Sequence, residues 1–318
     1  MEVQEANETA ARVVQELAKA IVGQSEVLEQ MTAALLSGGH ALVEGVPGTA
    51  KTLMARALAR VTGVSFRRIQ FTPDLMPSDI LGVNMYHTVT GQFLFRPGPI
   101  FADIILADEI NRSPAKTQSA LLEAMQERQA TIDGVSHAMS NVFTVFATQN
   151  PVEFEGTYPL PEAQVDRFML KIVVGYPDEA AEQAILDRVE AGFDAAHLDT
   201  VGLEPVLDLA RLQDLRRTVQ SQHVEPSVRQ YVTRVVRATR QVQQVSLGAS
   251  PRSGVMLVLA AKAQALLRGR QFVTPDDVKD MAYPVLRHRL VLVPEAELEG
   301  VSTDQVIREL LLGIEVPR

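Results

Sequence analysis

Between residues 10 and 21 apolar side chains recur at helical spacing, and Val13, Val14, Leu17 and Ile21 share one stripe that Gly23 ends. Ser25 is placed to cap a second helix carrying Leu28, Met31 and Leu35, closed by Gly38-Gly39. A short apolar run, Ala41-Leu42-Val43, reads as a buried strand leading into a glycine-rich turn. Four further runs read as buried strands: Ser65–Phe71, Asp103–Ala107, Val142–Ala147 and Met169–Val174. Helical patterns lie between several of them, including one from Pro114 to about Glu127. Strands alternating with helices predict a mainly parallel sheet wrapped by helices, an α/β fold.

Two segments break the rhythm. Val83–Phe95 has Thr90-Gly91 between alternating residues, and Ala130–Met139 has Asp133-Gly134. Both predict β-hairpins, because Gly and Asp-Gly suit tight reversals. After about Tyr176 strand signals fade. Pro226–Arg240 sets Val228, Tyr231, Val232, Val235 and Thr239 on one face, and Pro251 opens a long Ala/Leu helix to Leu267. Thr274-Pro275-Asp276-Asp277 combines a cap, a proline at the first helical position and an acidic first turn. The expected division is a nucleotide domain over 1–178 and an all-helical domain over 179–318.

Composition narrows the function. The 318 residues exceed what one core usually holds, and 46% hydrophobic with 22% charged is ordinary for a globular chain. There is no cysteine, which excludes disulfides and thiolate chemistry. The first ten residues have no apolar run of the signal-peptide kind and no apolar stretch reaches membrane-span length, so the expected location is cytoplasmic. A net charge of −9 disfavours general binding to nucleic acid, which depends on neutralising phosphates. Arg229, Arg234, Arg237 and Arg240 accordingly read as a solvated or interdomain helix face. The six histidines show no metal-ligand spacing, so no zinc site is expected.

The chemistry concentrates in two places. Gly45-Val46-Pro47-Gly48-Thr49-Ala50-Lys51-Thr52 lies between a strand and the helix that Leu53 continues. A loop at a helix N-terminus points several free N–H groups at one spot, and the helix dipole adds positive potential. Lys51 supplies a charge for the β- and γ-phosphates, and the Thr52 hydroxyl is a ligand for Mg²⁺. Ala50 stands where the usual pattern has glycine. Alanine disfavours positive φ, so ordinary helical-entry dihedrals are expected there. Second, the apolar Ile104–Ala107 delivers Asp108-Glu109 to the C-terminal edge of the sheet, where ligands of α/β folds bind. Asp108 is the candidate for holding Mg²⁺ through its waters, and Glu109 for taking a proton from an attacking water.

Beyond these motifs, the run Asp108 to Gln118 (DEINRSPAKTQ), followed by Ala120 to Glu127 (ALLEAMQE), resembles the MoxR family of AAA+ ATPases, in its helix-2-insert branch. So do Ala147–Pro151, Glu162–Phe168 and Ser250-Pro251-Arg252, and the likeness runs from Ile21 to Arg289. That family also accepts alanine at the Ala50 position. The resemblance implies an AAA+ αβα domain with a helical lid, binding ATP or ADP with Mg²⁺. It implies that Ile21, Val22 and Gly23 hold adenine and that Asn150 positions the attacking water. Arg167 resembles the arginine finger that one subunit extends into its neighbour's site, worth about 10³–10⁵ in rate elsewhere. Arg252 resembles the lid's sensor arginine, acting in its own subunit or a neighbour's. The two hairpins resemble the helix-2 insert and the pre-sensor-1 hairpin. A homo-oligomeric, hexameric ring is implied, with a von Willebrand factor A-domain partner. Three rivals are a nucleic-acid motor of MCM type, a chelatase-type motor subunit and a monomeric small-molecule kinase. Against the first, the hairpin tips Thr88–Gln92 and Asp133–Ser136 carry no Lys or Arg.

Overall fold

The computed structural model describes residues 3–151 and 156–317. Its strands, in chain order, are β1 (Ala41–Gly45), β2 (Phe66–Gln70), β3 (Gly82–His87), β4 (Gln92–Pro97), β5 (Ile104–Asp108), β6 (Gln129–Ile132), β7 (Val135–Ala138), β8 (Thr144–Gln149), β9 (Leu170–Val174), β10 (Val245–Leu247) and β11 (Val291–Leu292). Five form a parallel sheet in the order β2-β5-β8-β1-β9. The expected αβα architecture is therefore present. The pleat divides its side chains between two hydrophobic clusters. On β5, Ile104 and Leu106 join one cluster and Ile105 and Ala107 the other. On β1, Ala41 and Val43 face the first and Leu42 the second.

The first cluster holds Leu28, Met31 and Leu35 of the helix Ser25–Ser37 and Met54 and Leu58 of the helix Lys51–Val61. It continues without interruption through Tyr231 and Leu257 in the C-terminal helices. Arg216, on the helix Leu209–Ser221, reinforces that junction: its guanidinium donates to Leu35 O (2.9 Å), Val142 O (3.0 Å) and Thr144 Oγ1 (2.8 Å). Its pKa falls to about 10, chiefly through burial.

Three expectations need correction. Ser25 is the first residue of its helix rather than the cap, which is Gln24, and no side-chain cap bond forms. The strand β2 lies at the sheet edge, with only Ile69 buried, because Arg67, Arg68 and Gln70 point to solvent or to the site. The C-terminal segment is not all helical: β10 and β11 make a small antiparallel pair between helices. Each is two or three residues long, below the length at which alternation is readable.

Turn chemistry behaves as expected. Asp133 (φ 50°) and Gly134 (φ 81°) form the two-residue reversal between β6 and β7, both left-handed as a primed turn requires. Thr274 caps the helix Pro275–Leu286 in a reciprocal box with Asp277. The two hairpins dock on one another: Asn84 Nδ2 donates to Asp133 Oδ2 (2.7 Å), and Phe95 stacks on His137 with ring centres 4.0 Å apart. Val89 and Phe93 of the first hairpin remain exposed. Among the described residues, no helix is long and apolar enough to cross a membrane.

Candidate active site

The loop after β1 is built by local backbone geometry. Gly45 ends the strand, and a Cβ there would lie 2.6 Å from Val174 O on β9, so glycine is required by strand packing. Gly48 takes φ 84° with open space around it. Ala50 corrects the sequence expectation: its φ is 60° and ψ 20°, the left-handed region, immediately before the helix Lys51–Val61. The conformation costs an alanine about 1–2 kcal/mol. It is held because Ala50 O already accepts the helical bond from Met54 N (2.9 Å), while Thr49 Oγ1 closes the preceding turn on Val46 O (2.9 Å). Left-handed residues at 48 and 50 gather backbone amides into a concavity suited to an anion.

Lys51 opens the helix and folds back over the loop, where Nζ donates to Gly45 O (2.5 Å) and Val46 O (2.8 Å). Burial lowers its pKa, and the carboxylates of Asp108 and Glu109 oppose that shift. Lys51 thus waits on neutral carbonyls that a phosphate oxygen would outcompete.

The acidic pair sits across the cavity. Asp108 Oδ1 accepts from Thr148 Oγ1 (2.6 Å), and Oδ2 accepts from Arg68 Nε (2.9 Å) and Nη2 (2.6 Å). Thr148 also accepts from the Glu109 backbone N–H (2.9 Å), so one hydroxyl orients both acidic residues. Glu109 is left-handed (φ 57°), and its Oε2 accepts from Gln70 Nε2 (2.8 Å) and Arg112 Nη1 (3.2 Å). Asn150 is buried just beyond β8. A cavity of about 600 Å³ joins Lys51, Thr52, Asp108, Glu109 and Asn150 in one wall. Arg68, Gln70 and Thr148 were missed by sequence reasoning. The readable signal was polarity inside β2, where Gln70 pairs in register with Asp108.

A second cavity, about 280 Å³ and largely apolar, opens beside the first and shares Gly48–Ala50 and Leu53 with it. Ile21 and Val22 line it, joined by Ile185, Val189 and Phe193 from the region of the helix Glu179–Glu190. Its size and apolar lining suit a heteroaromatic ring beside the glycine-rich loop. Gly23 is not in that wall. Its φ of 71° and its contact with the same helix, where a Cβ would meet Ala181 Cβ at 2.5 Å, make it the point at which chain and helix close on each other.

Arg167 and Arg252 line neither cavity. They lie together around a third, of about 220 Å³, with His40, Met125 and Arg128. Arg252 Nη1 is 4.0 Å from Asp166 Oδ2. The turn that bears Arg167 is fastened by buried Arg289, which donates to Asp166 Oδ1 (2.7 Å), Asp166 O (3.0 Å), Phe168 O (2.5 Å), Met169 O (3.2 Å) and Val285 O. The pKa of Arg289 falls to about 10 through burial, against the opposing pull of Asp166.

Comparison with known proteins follows the same outline. Residues 40–170 match the ATPase family associated with various cellular activities (AAA), and residues 237–310 match the AAA lid domain. The chain is 46% identical to the uncharacterized protein YeaC of Bacillus subtilis, over 96% of this chain and 94% of that one. It is 46% identical to chaperone MoxR1 of Mycobacterium tuberculosis, covering 98% and 83%, and 31% identical to protein MoxR of Methylorubrum extorquens, covering 96% and 94%. A crystal structure of a Cytophaga hutchinsonii protein assigned as an ATPase superposes with a TM-score of 0.91 at 40% identity, over 99% of this chain and 97% of that one.

Proposed function

The chain belongs to the MoxR family of AAA+ ATPases and hydrolyses ATP, and we propose that it works as a magnesium-dependent, chaperone-like motor whose sites are completed between copies in a ring. One observation carries this reading: Lys51, Asp108, Glu109 and Asn150 line one cavity, while Arg167 and Arg252 line another. A neighbour's guanidinium entering the Lys51 cavity accounts for both halves.

The geometry supports a division of labour. The backbone N–H groups from Gly48 to Thr52 cradle the phosphates, and Lys51 exchanges its loop carbonyls for phosphate oxygens. Adenine occupies the apolar cleft of Ile21, Val22 and Phe193. Thr52 and Asp108 are the residues that would hold Mg²⁺. Asp108 fits that task because Thr148 fixes one carboxylate oxygen while the other is held by Arg68, a half-exposed and exchangeable partner. The bound ion would neutralise charge on the β- and γ-phosphates. Glu109, once Gln70 and Arg112 let go, accepts the proton of the attacking water, which Asn150 orients. Arg167 from the adjoining copy neutralises charge growing on the γ-phosphoryl oxygens.

Residues 1–178 act as the nucleotide core and 179–318 as the lid, whose rotation couples turnover to work. The M. tuberculosis relative is named a chaperone, and the same role is proposed here: a cytoplasmic hexamer remodelling partner proteins, together with a von Willebrand factor A-domain protein. The apolar exposed residues Val89 and Phe93 on the first hairpin support a protein client over a polyanion.

Subunit mixing tests the shared site. Lys51→Ala and Arg167→Ala should each be inactive alone. A one-to-one mixture should regain turnover at about one interface in four, since random assembly leaves that share intact. A mixture as inactive as its parents, or full activity from a solitary protomer at every concentration, refutes the reading.

A further inference from the structure

The cavity around Arg167 and Arg252 contains a third guanidinium. Arg128 lines it too, and no carboxylate is among its lining residues; Asp166 stands outside that lining, at 4.0 Å from Arg252. Arg128 occupies the C-cap of the helix Ala115–Glu127 with φ 51°. Glycine is the usual residue there, because a Cβ makes left-handed backbone costly. The chain therefore keeps an exposed arginine at a position where a smaller residue would be more stable. Its own fastening is slight, a bond from Nη2 to Gly38 O (2.9 Å). The region is electropositive. His40 on the same wall is kept neutral, with its pKa lowered to about 3 by burial first and by Arg128 and Arg216 in addition. Three guanidiniums line this cavity, and the carboxylate at its margin, Asp166, is already engaged by Arg289, so positive charge is left over for an anion arriving from outside.

We propose that Arg128 acts with Arg167 and Arg252 as a third cation on the terminal phosphates of a nucleotide held by an adjoining copy. The inference deepens the shared-site reading and rests on it. Arg128 contributes charge to a phosphoryl group that the other chain's Lys51 and amides already hold, so its loss affects turnover more than nucleotide affinity.

The test uses the full chain with Arg128→Gln, which retains a donor for Gly38 O but no charge, and Arg128→Lys, which retains charge. The measurements are kcat, KM for ATP, thermal melting and assembly by light scattering. Arg128→Gln should lose at least about tenfold in kcat with KM within about twofold, while melting and assembly match the parent. Arg128→Lys should recover part of the loss. Mixing Arg128→Gln with Lys51→Ala should raise turnover above either alone. The Lys51→Ala with Arg167→Ala mixture runs alongside. If that control stays inactive, the shared site falls and this proposal with it. If the control recovers while Arg128→Gln keeps its kcat, or its mixture with Lys51→Ala does not rise, only the Arg128 assignment falls. A lowered melting temperature in Arg128→Gln that tracks its lost turnover also overturns the assignment, because Arg128 is then a structural cap.

Discussion

Replacing Thr148 by valine should damage both the stability and the chemistry of the site. Thr148 is 1% exposed, and its hydroxyl both donates to Asp108 Oδ1 at 2.6 Å and accepts from the Glu109 N–H at 2.9 Å. Valine keeps the shape and removes both bonds. A bond to a charged group contributes about 1.5–3 kcal/mol, and an orphaned buried N–H costs about 1–3 kcal/mol. Glu109 is only partly buried, so the lower end applies to its amide, and Asp108 retains Arg68. The sum is about 3 kcal/mol. Chemical unfolding of the nucleotide-free protein should show the midpoint lowered by that free energy with an unchanged m value. Turnover should fall at least about tenfold, because the backbone that aims Glu109 has lost its anchor. Thr148→Ser should restore most of both. Thr148→Val with stability within about 0.5 kcal/mol of the parent would refute the assignment of Thr148 as the shared orienting group.

Two further outcomes follow from the same structure. Ala50→Gly relieves the left-handed strain but loosens the unfolded chain, so a net stabilisation of about 0.5–1 kcal/mol is expected, with ATP binding retained; a destabilised variant in the same unfolding assay refutes it. His40 has a folded pKa of about 3, so the unfolded chain takes up its proton first as pH falls. The stability it contributes is complete above pH about 6.5 and is lost between there and pH about 3, at up to about 1.4 kcal/mol per pH unit. His40→Gln should therefore flatten the acid limb of the unfolding midpoint measured between those limits, and an unaltered slope counts against the burial argument.

Much of the frame was legible because it depends on local periodicity. The five sheet strands, the Asp133-Gly134 reversal and the Thr274 cap each announce themselves within a few residues. The glycine-rich loop after β1 and the placing of Asp108-Glu109 at the sheet edge were equally legible, since strand, turn and helix are contiguous in the chain. What stayed hidden depends on distance or on a balance of small terms. Arg68 and Gln70 act on Asp108 and Glu109 only because β2 and β5 are neighbours in register, a pairing that spacing along the chain does not encode. The apolar cleft needs Ile185 and Val189 from a helix more than 160 positions after Ile21. At Ala50 the local preference pointed the wrong way: loop closure by Thr49 and helix continuation from Met54 outweigh an alanine's aversion to positive φ.

Arg289 ties the turn that bears Arg167 to the helix Pro275–Leu286. Its Nη2 donates to the carbonyls of Asp166 and Phe168, and its Nη1 is shared between Met169 O and Val285 O near the end of that helix. Being buried and multiply bonded, the side chain cannot swing away without orphaning several donors. A tilt of that helix would therefore tug, as a crank does, on the turn carrying Arg167, and a push on that turn would reach the helix by the same linkage.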